Sequence, residues 1–213
     1  MEGEPRSVKI APDERTGWSS DRPRRSGEAE RAPRPADISV RCKVLRPADR
    51  IRYSPGSLVI ITGLDEALIE AFAARAVEER GALLSLPALR RLITGKVADD
   101  ELDDKALALR ETLAAKRVAN GDSVVVTLPG LDFDERDHWA RLAAAQRRPR
   151  HLLLLEGRAA DLDDEGRAAL NEFRTALDAG QLGAEGFFTA MRLGGQAVTD
   201  RRRIVFAPPS QDD

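Results

Sequence analysis

The sequence predicts a doubly wound α/β fold built on a mostly parallel five-stranded sheet. Three observations carry that expectation. Apolar runs of strand length recur along the chain, as SLVIIT, ALLSL, SVVVTLP, HLLLLE and GFFTAMRL. Between them lie segments whose apolar residues recur every three or four positions, the period of a helix with one buried face. These segments are also long enough for right-handed crossovers between parallel strands.

Each element follows from its local chemistry. Residues 1–36 mix Pro, Arg, Glu, Gly and Ser with charges of both signs, and Trp18 is their lone aromatic. That composition buries too little apolar surface to offset the entropy of ordering, so a disordered polyampholyte tail is expected. Its Arg22, Arg24 and Arg25 admit contact with an acidic partner, although Asp13, Glu14, Asp21, Glu28 and Glu30 dilute the charge. Residues 37–56 read as a short strand or arm. There Ile38, Val40, Cys42 and Val44 alternate with polar residues, and turns at Pro47 and at Ser54, Pro55 and Gly56 flank an Ile51, Tyr53 alternation.

The main domain is expected over 57–207, with a short polar tail at 208–213. SLVIIT is apolar without alternation, as in a strand covered on both faces. After Gly63, the spacing of Leu68, Ile69, Phe72, Ala76 and Val77 predicts a helix from about Glu66 to Arg80, stopped by Gly81. ALLSL is a short second strand, and Pro87 suits the first turn of the helix that ends at Gly95. Beyond the acidic connector KVADDELDD, a long helix carries Ala106, Leu107, Leu109, Leu113, Ala114 and Val118 on one side and stops at Gly121. SVVVTLP is the most β-branched strand. The next helix turns Trp139, Leu142 and Ala143 inward, with Phe133 just ahead of it. HLLLLE is the fourth strand; Leu170, Phe173 and Leu177 mark a helix ending at Gly180. GFFTAMRL is the fifth, and Arg201, Arg202 and Arg203 lead into IVFA.

Composition bounds the function. A chain of 213 residues, 42% hydrophobic and 33% charged, has apolar material for one core plus tails. Lysine and arginine (34) nearly balance aspartate and glutamate (36), so no global field draws in nucleic acid. Aromatics at 4%, unclustered, offer no stacking platform for single strands either. Cys42, the single cysteine, excludes an intrachain disulfide and reads as a small apolar side chain. No apolar run approaches the ~18 residues of a spanning helix, and the first residues are too charged for a signal peptide, so no membrane role and a cytoplasmic location are expected. His138 and His151 lack neighbours at ligand spacing, so no metal is expected.

From Ser57 to about Leu193, the landmarks VIITG, LLSLPALRRLITG, RVANGDSVVVT, HLLLLE and AEGFFTAMRL follow in a fixed order. In that order and spacing, over roughly two-thirds of the sequence, the chain resembles small P-loop kinases of the bacterial polynucleotide-kinase and zeta-toxin-like, AAA-type ATP-binding group. The resemblance implies a P-loop NTPase kinase fold, with ATP and magnesium serving phosphoryl transfer to a hydroxyl.

The positions that carry that chemistry depart from the pattern. A phosphate loop, GxxxxGK[ST], wraps backbone NH groups around phosphate, neutralises charge with lysine and holds magnesium with a hydroxyl. With Gly63 as the first glycine, Leu68, Ile69 and Glu70 occupy the second glycine, the lysine and the Ser/Thr, a degenerate Walker A motif. Asp65, Glu66 and Glu70 bring negative charge to the same place, where like charges about 4 Å apart repel by about 4 kcal/mol at an effective dielectric near 20. Asp65 or Glu66 is instead suited to cap the helix. The family's SSDxxR base pattern reads SLPALR, with Pro87 in place of the aspartate while Ser85 and Arg90 remain; its DATN-like run reads TLPG, from Thr127 to Gly130.

Thr62, Ser85, Arg90, Arg91, Thr127 and Arg136 then form the candidate cleft, at strand ends or on the following helices. Arg90 and Arg91 admit two roles, contact with an anion or pairing with the acids of ADDELDD. Three functions follow. The first is a non-catalytic P-loop kinase-like binding or scaffold module, with no catalytic residue and no cofactor, placed beside a protein partner or an active relative. The second is a kinase whose phosphate contacts come from Arg90, Arg91 or an arginine of the lid-like 158–174 segment, with ATP and magnesium. The third is an interaction module working through the Arg-rich tail.

Overall fold

The computed structural model describes residues 39–48, 50–200 and 202–208. The expected tail with its Arg22, Arg24 and Arg25, the first alternating residue Ile38, Arg201 and residues 209–213 lie outside the described residues.

The architecture is α/β and doubly wound. Strands β1 (Lys43–Leu45), β3 (Leu58–Gly63), β4 (Leu83–Leu84), β5 (Val124–Pro129), β6 (Arg150–Glu156) and β7 (Thr189–Gly194) form one sheet in the order β1-β7-β6-β3-β5-β4. Every pairing in it is parallel. The expected five strands are all present, and the sixth is β1, whose Lys43 to Leu45 pair with Thr189 to Met191 on the outer edge of β7. What reads in sequence as a separate arm is thus an edge strand. Its neighbour β2 (Arg50–Tyr53) pairs in parallel with β8 (Arg203–Phe206) as a two-stranded ribbon, burying the alternating Ile51 and Tyr53.

The described residues form six helices: α1 (Glu66–Ala76), α2 (Leu86–Ile93), α3 (Leu102–Asn120), α4 (Phe133–Ala145), α5 (Asp164–Asp178) and the short α6 (Gln196–Thr199). On one face, residues of α3, α4 and α5 pack on Leu58, Ile60, Val124, Val126, Leu152 and Leu154. On the other, residues of α1, α6 and the β2–β8 ribbon pack on Val59, Ile61, Val125, Leu153 and Leu155. The alternation along each strand divides the sheet between these cores, and burial on both sides explains its unbroken apolar runs. None of the helices among the described residues is long and apolar enough to cross a membrane.

Two helix expectations change. Helix α1 ends at Ala76 rather than near Arg80, because Val77 turns extended and bridges Ile204 of β8. In α3, Leu107 faces solvent, and the buried row is Ala106, Arg110, Ala114 and Val118 at four-residue spacing. An arginine therefore lies in the row that meets the sheet. Other stops fall at the expected residues: Gly121 and Gly180 adopt φ of 84° and 72°, the left-handed conformation that glycine enters without steric cost.

Strand β3 is central. The chain passes from it to β4 and β5 on one side, then crosses to β6 and β7 on the other. The reversal makes the carboxyl end of β3 the topological switch point, where this architecture leaves a crevice.

Candidate functional site

The turn at that switch point is short. Strand β3 ends at Gly63 and α1 begins at Glu66, so only Leu64 and Asp65 connect them. Asp65 is the N-cap, and its Oδ1 accepts from the Leu68 backbone NH at 2.9 Å. Glu66 is the first helical residue. Gly63 serves packing: a Cβ there would lie 2.4 Å from the Leu155 carbonyl oxygen, so its absence lets β3 and β6 approach. The Gly63 carbonyl accepts from the Gly130 NH at 2.7 Å. Leu68, Ile69 and Glu70, expected at loop positions, stand on the helix instead; Ile69 is fully buried in the core, and Glu70 accepts from Ser85 Oγ at 2.6 Å.

The candidate cleft residues divide. Ser85 caps α2, accepting from the Ala88 NH at 3.3 Å while it donates to Glu70. Thr62 is fully buried and its hydroxyl donates to the Gly130 carbonyl at 2.5 Å. Thr127 is equally buried, yet its hydroxyl has no hydrogen-bond partner among the described residues. Arg90 is held by Asp103 of the acidic connector at 2.6 Å, whereas Arg91 is exposed and lines a cleft with Glu70 and Ser85. Arg136 does not belong with them. It lies buried under α4, forks onto Glu185 at 2.9 and 3.0 Å, donates to the Leu131 and Asp132 carbonyls and covers the Phe173 ring, so its donors are spent inside the fold.

Sequence reading misses Arg110. Its Nη1 donates to the Thr127 carbonyl at 3.3 Å and its guanidinium lies 5.2 Å from the Trp139 ring centre, while its Nε has no partner among the described residues. Burial lowers its pKa, against the opposing charges of Glu135, Glu111 and Glu70. The available signal is its place four residues from both Ala106 and Ala114 on the inward row.

The β6 side of the switch point is closed by charge. Glu156, at the end of β6, accepts from Arg174 Nε and Nη2 at 2.8 and 2.9 Å and from Arg192 Nε at 2.9 Å. Burial alone would raise the Glu156 carboxyl, but the hydrogen bonds and charges of Arg174 and Arg192 hold it below its ordinary value. Of the lid-like segment, Arg174 is therefore engaged, and Arg167 pairs with Asp164. A cavity of about 570 Å³ beside this cluster is lined by Asp65, Leu68, Arg158 and Gln196 among others. His138 lies on the surface 3.4 Å from Glu111, and His151 is buried at the opposite end of the sheet. Among the described residues no group of three or more His, Cys, Asp or Glu is placed to hold a metal ion.

No protein-family model matches the chain, and no curated protein matches it. Among solved structures it is similar to a "putative kinase" from Chloroflexus aurantiacus, at 16% identity and a TM-score of 0.39, over 65% of this chain and 84% of that one. At that TM-score the likeness carries no functional argument.

Proposed function

We propose that the protein is a non-catalytic, P-loop kinase-like binding module. One observation carries this reading: the position of a phosphate loop is taken by a two-residue turn whose aspartate already occupies the helix N-terminus. A phosphate cradle needs several successive NH groups turned toward an anion, together with a lysine. Here the Leu68 NH is spent on Asp65, Ile69 is in the core, and an incoming triphosphate meets Asp65, Glu66 and Glu70. Two of the arginines that could stand in for the lysine support the same reading, since Arg90 is held by Asp103 and Arg174 by Glu156. What remains among the described residues is a sheet edge with clefts, suited to holding a ligand or a partner, an active relative included.

Calorimetry with ATP and magnesium tests the proposal. No binding is expected up to about millimolar nucleotide, whereas affinity near micromolar, about −8 kcal/mol, overturns it. Turnover of labelled ATP that Arg91→Ala abolishes would overturn it as well, in favour of a kinase with rewired contacts.

A further inference from the structure

Many arginines of this fold are held by acids, as Arg117 is by Glu79, Arg192 by Asp178 and Arg203 by Glu78. The stretch 41–52 departs from that habit. Arg41, Lys43, Arg46, Arg50 and Arg52 are all exposed, and none of their side chains makes an ion pair or hydrogen bond among the described residues. Lys43 belongs to β1, the outermost strand of the sheet, two residues from Leu45, which packs on the core beneath the β2–β8 ribbon. Strand alternation therefore puts Lys43 on the ribbon's side of the sheet. Within the ribbon, Arg50 and Arg52 alternate with the buried Ile51 and Tyr53 and so point outward. Arg50 is also in register with Arg203, which sets like charges opposite each other across the ribbon, and Glu78 meets only Arg203.

The other margin of the sheet has the opposite sign. Strand β4 is outermost there, α2 follows it after Ser85, and the acidic connector joins α2 to α3, which packs against α2. Asp99, Asp100, Glu101, Asp103 and Asp104 are all exposed, and among the described residues only the Asp103 carboxylate has a partner, Arg90. Each margin also shows an apolar residue to solvent. Val44 in β1 is 39% exposed, and Leu107, one turn beyond Asp103 on the same face of α3, is 41% exposed. An apolar centre inside a charged surround is the anatomy of a protein interface.

We infer that copies of this chain associate head to tail, the basic margin at 41–52 of one docking on the acidic margin at 99–104 of the next. Charge complementarity selects a second copy as the occupant, because the chain carries both signs, unspent, at the two ends of its strand order. It also selects the geometry. Two basic margins repel one another, as do two acidic ones, so a two-fold pairing of like with like is disfavoured. A heterologous contact leaves one margin of each sign free at its ends, and so adds further copies or closes into a ring. The ion pairs in it are exposed and individually worth little, which makes the association weak and dependent on salt.

The inference goes beyond the binding-module reading and does not rest on it, since the only probe is the protein itself. Sedimentation velocity on the full chain, from about 10 to about 200 µM, compares about 20 mM salt with about 500 mM salt. At low salt the average mass is expected to rise above that of the monomer with concentration, and at high salt to return to it. Arg50→Glu with Arg52→Glu, and separately Asp99→Lys with Asp100→Lys, are each expected to weaken the low-salt association at least about tenfold. Mixed in equal amounts, the two double variants are expected to recover it, because the first keeps its acidic margin and the second its basic one. Should either double variant misfold, Arg52→Ser or Asp100→Asn takes its place, with a severalfold weakening expected. A monomer at every concentration in low salt overturns the inference, as does association that high salt leaves intact. So does unchanged self-association in either variant, or a mixture of the two folded double variants that stays monomeric.

Discussion

At the amino end of the sheet, Gly56 NH donates to Ser123 Oγ at 3.0 Å, and Ser57 Oγ donates to the Ser54 carbonyl at 2.7 Å. There His151 meets Thr189 Oγ1 at 2.8 Å and Ser57 Oγ at 3.3 Å, and Arg150 Nε donates to the Gly186 carbonyl at 2.6 Å. At the carboxyl end beside β5, the Thr127 hydroxyl and Arg110 Nε have no partners among the described residues. Each such group costs about 1–3 kcal/mol when nothing meets it. Tyr53, whose hydroxyl is also unpartnered among the described residues, is the exception at the amino end, where its ring stacks on that of His151 at 4.4 Å. The difference teaches that the amino end of the sheet meets its polar groups inside the fold, whereas the β5 side of the carboxyl end leaves two of them unmet.

The largest expected effect breaks the amino end. Burial, with the nearby Arg150 charge, lowers the His151 pKa from 6.5 to about 4. A base whose folded pKa is depressed takes up protons on unfolding, so the fold is favoured fully above the unfolded value and loses stability as pH falls from about 6.5 toward 4. The shift corresponds to about 3 kcal/mol across that window. Urea unfolding at pH 7 and pH 4.5 measures it, and the same pair of measurements on His151→Gln is expected to lose most of that difference. An unchanged difference would mean the ring is not held neutral.

The β6 side of the carboxyl end should respond like the amino end, being closed in the same way. Glu156→Ala removes the ion-pair partner of Arg174 and leaves Arg192 with Asp178 alone. Breaking a fully buried pair costs about 3–5 kcal/mol. With Arg174 and Arg192 at 27% and 34% exposure, water screens part of that, and about 2 kcal/mol is expected. The depressed carboxyl adds a sign: this stability is present above the ordinary carboxylate range and is lost as pH falls through the lowered value. Chemical denaturation of the variant checks the first figure. A loss that persists unchanged in acid would contradict the second.

How much of this was legible follows from what sequence can encode. The strands and the stops at Gly121 and Gly180 are local matters of period and backbone freedom, and they stand in the sequence. The joining of Lys43–Leu45 to β7 is not local, because three residues, two of them exposed, carry no mark of the partner nearly 150 positions away. The early end of α1 depends likewise on Ile204. Arg110 is hidden for a different reason: a charged residue reads as solvated until the facing strand is known, and its four-residue spacing from two alanines was the only hint. At the site, the residue types at Ser85, Thr127 and Arg91 suggest a cleft. Which of them is satisfied depends on distances, and those separated Thr62 from Thr127 and removed Arg136.

The finest test uses those two threonines. Both are fully buried, on neighbouring strands at the carboxyl end, in register with Leu128 and Ile61 of the adjoining strand. Thr62→Val removes the donor to the Gly130 carbonyl and leaves that oxygen unmet, so a loss of about 1–2 kcal/mol is expected. Thr127→Val removes a hydroxyl that has no partner among the described residues and puts a methyl group of similar volume against Val125 and Ile61. The same chemical change one strand away should therefore be neutral, or gain up to about 1 kcal/mol, in thermal or urea unfolding. Equal losses at both sites would mean that the Thr127 hydroxyl has a partner in solution, such as an ordered water. The two ends of the sheet would then differ in the kind of partner they use and not in whether they have one.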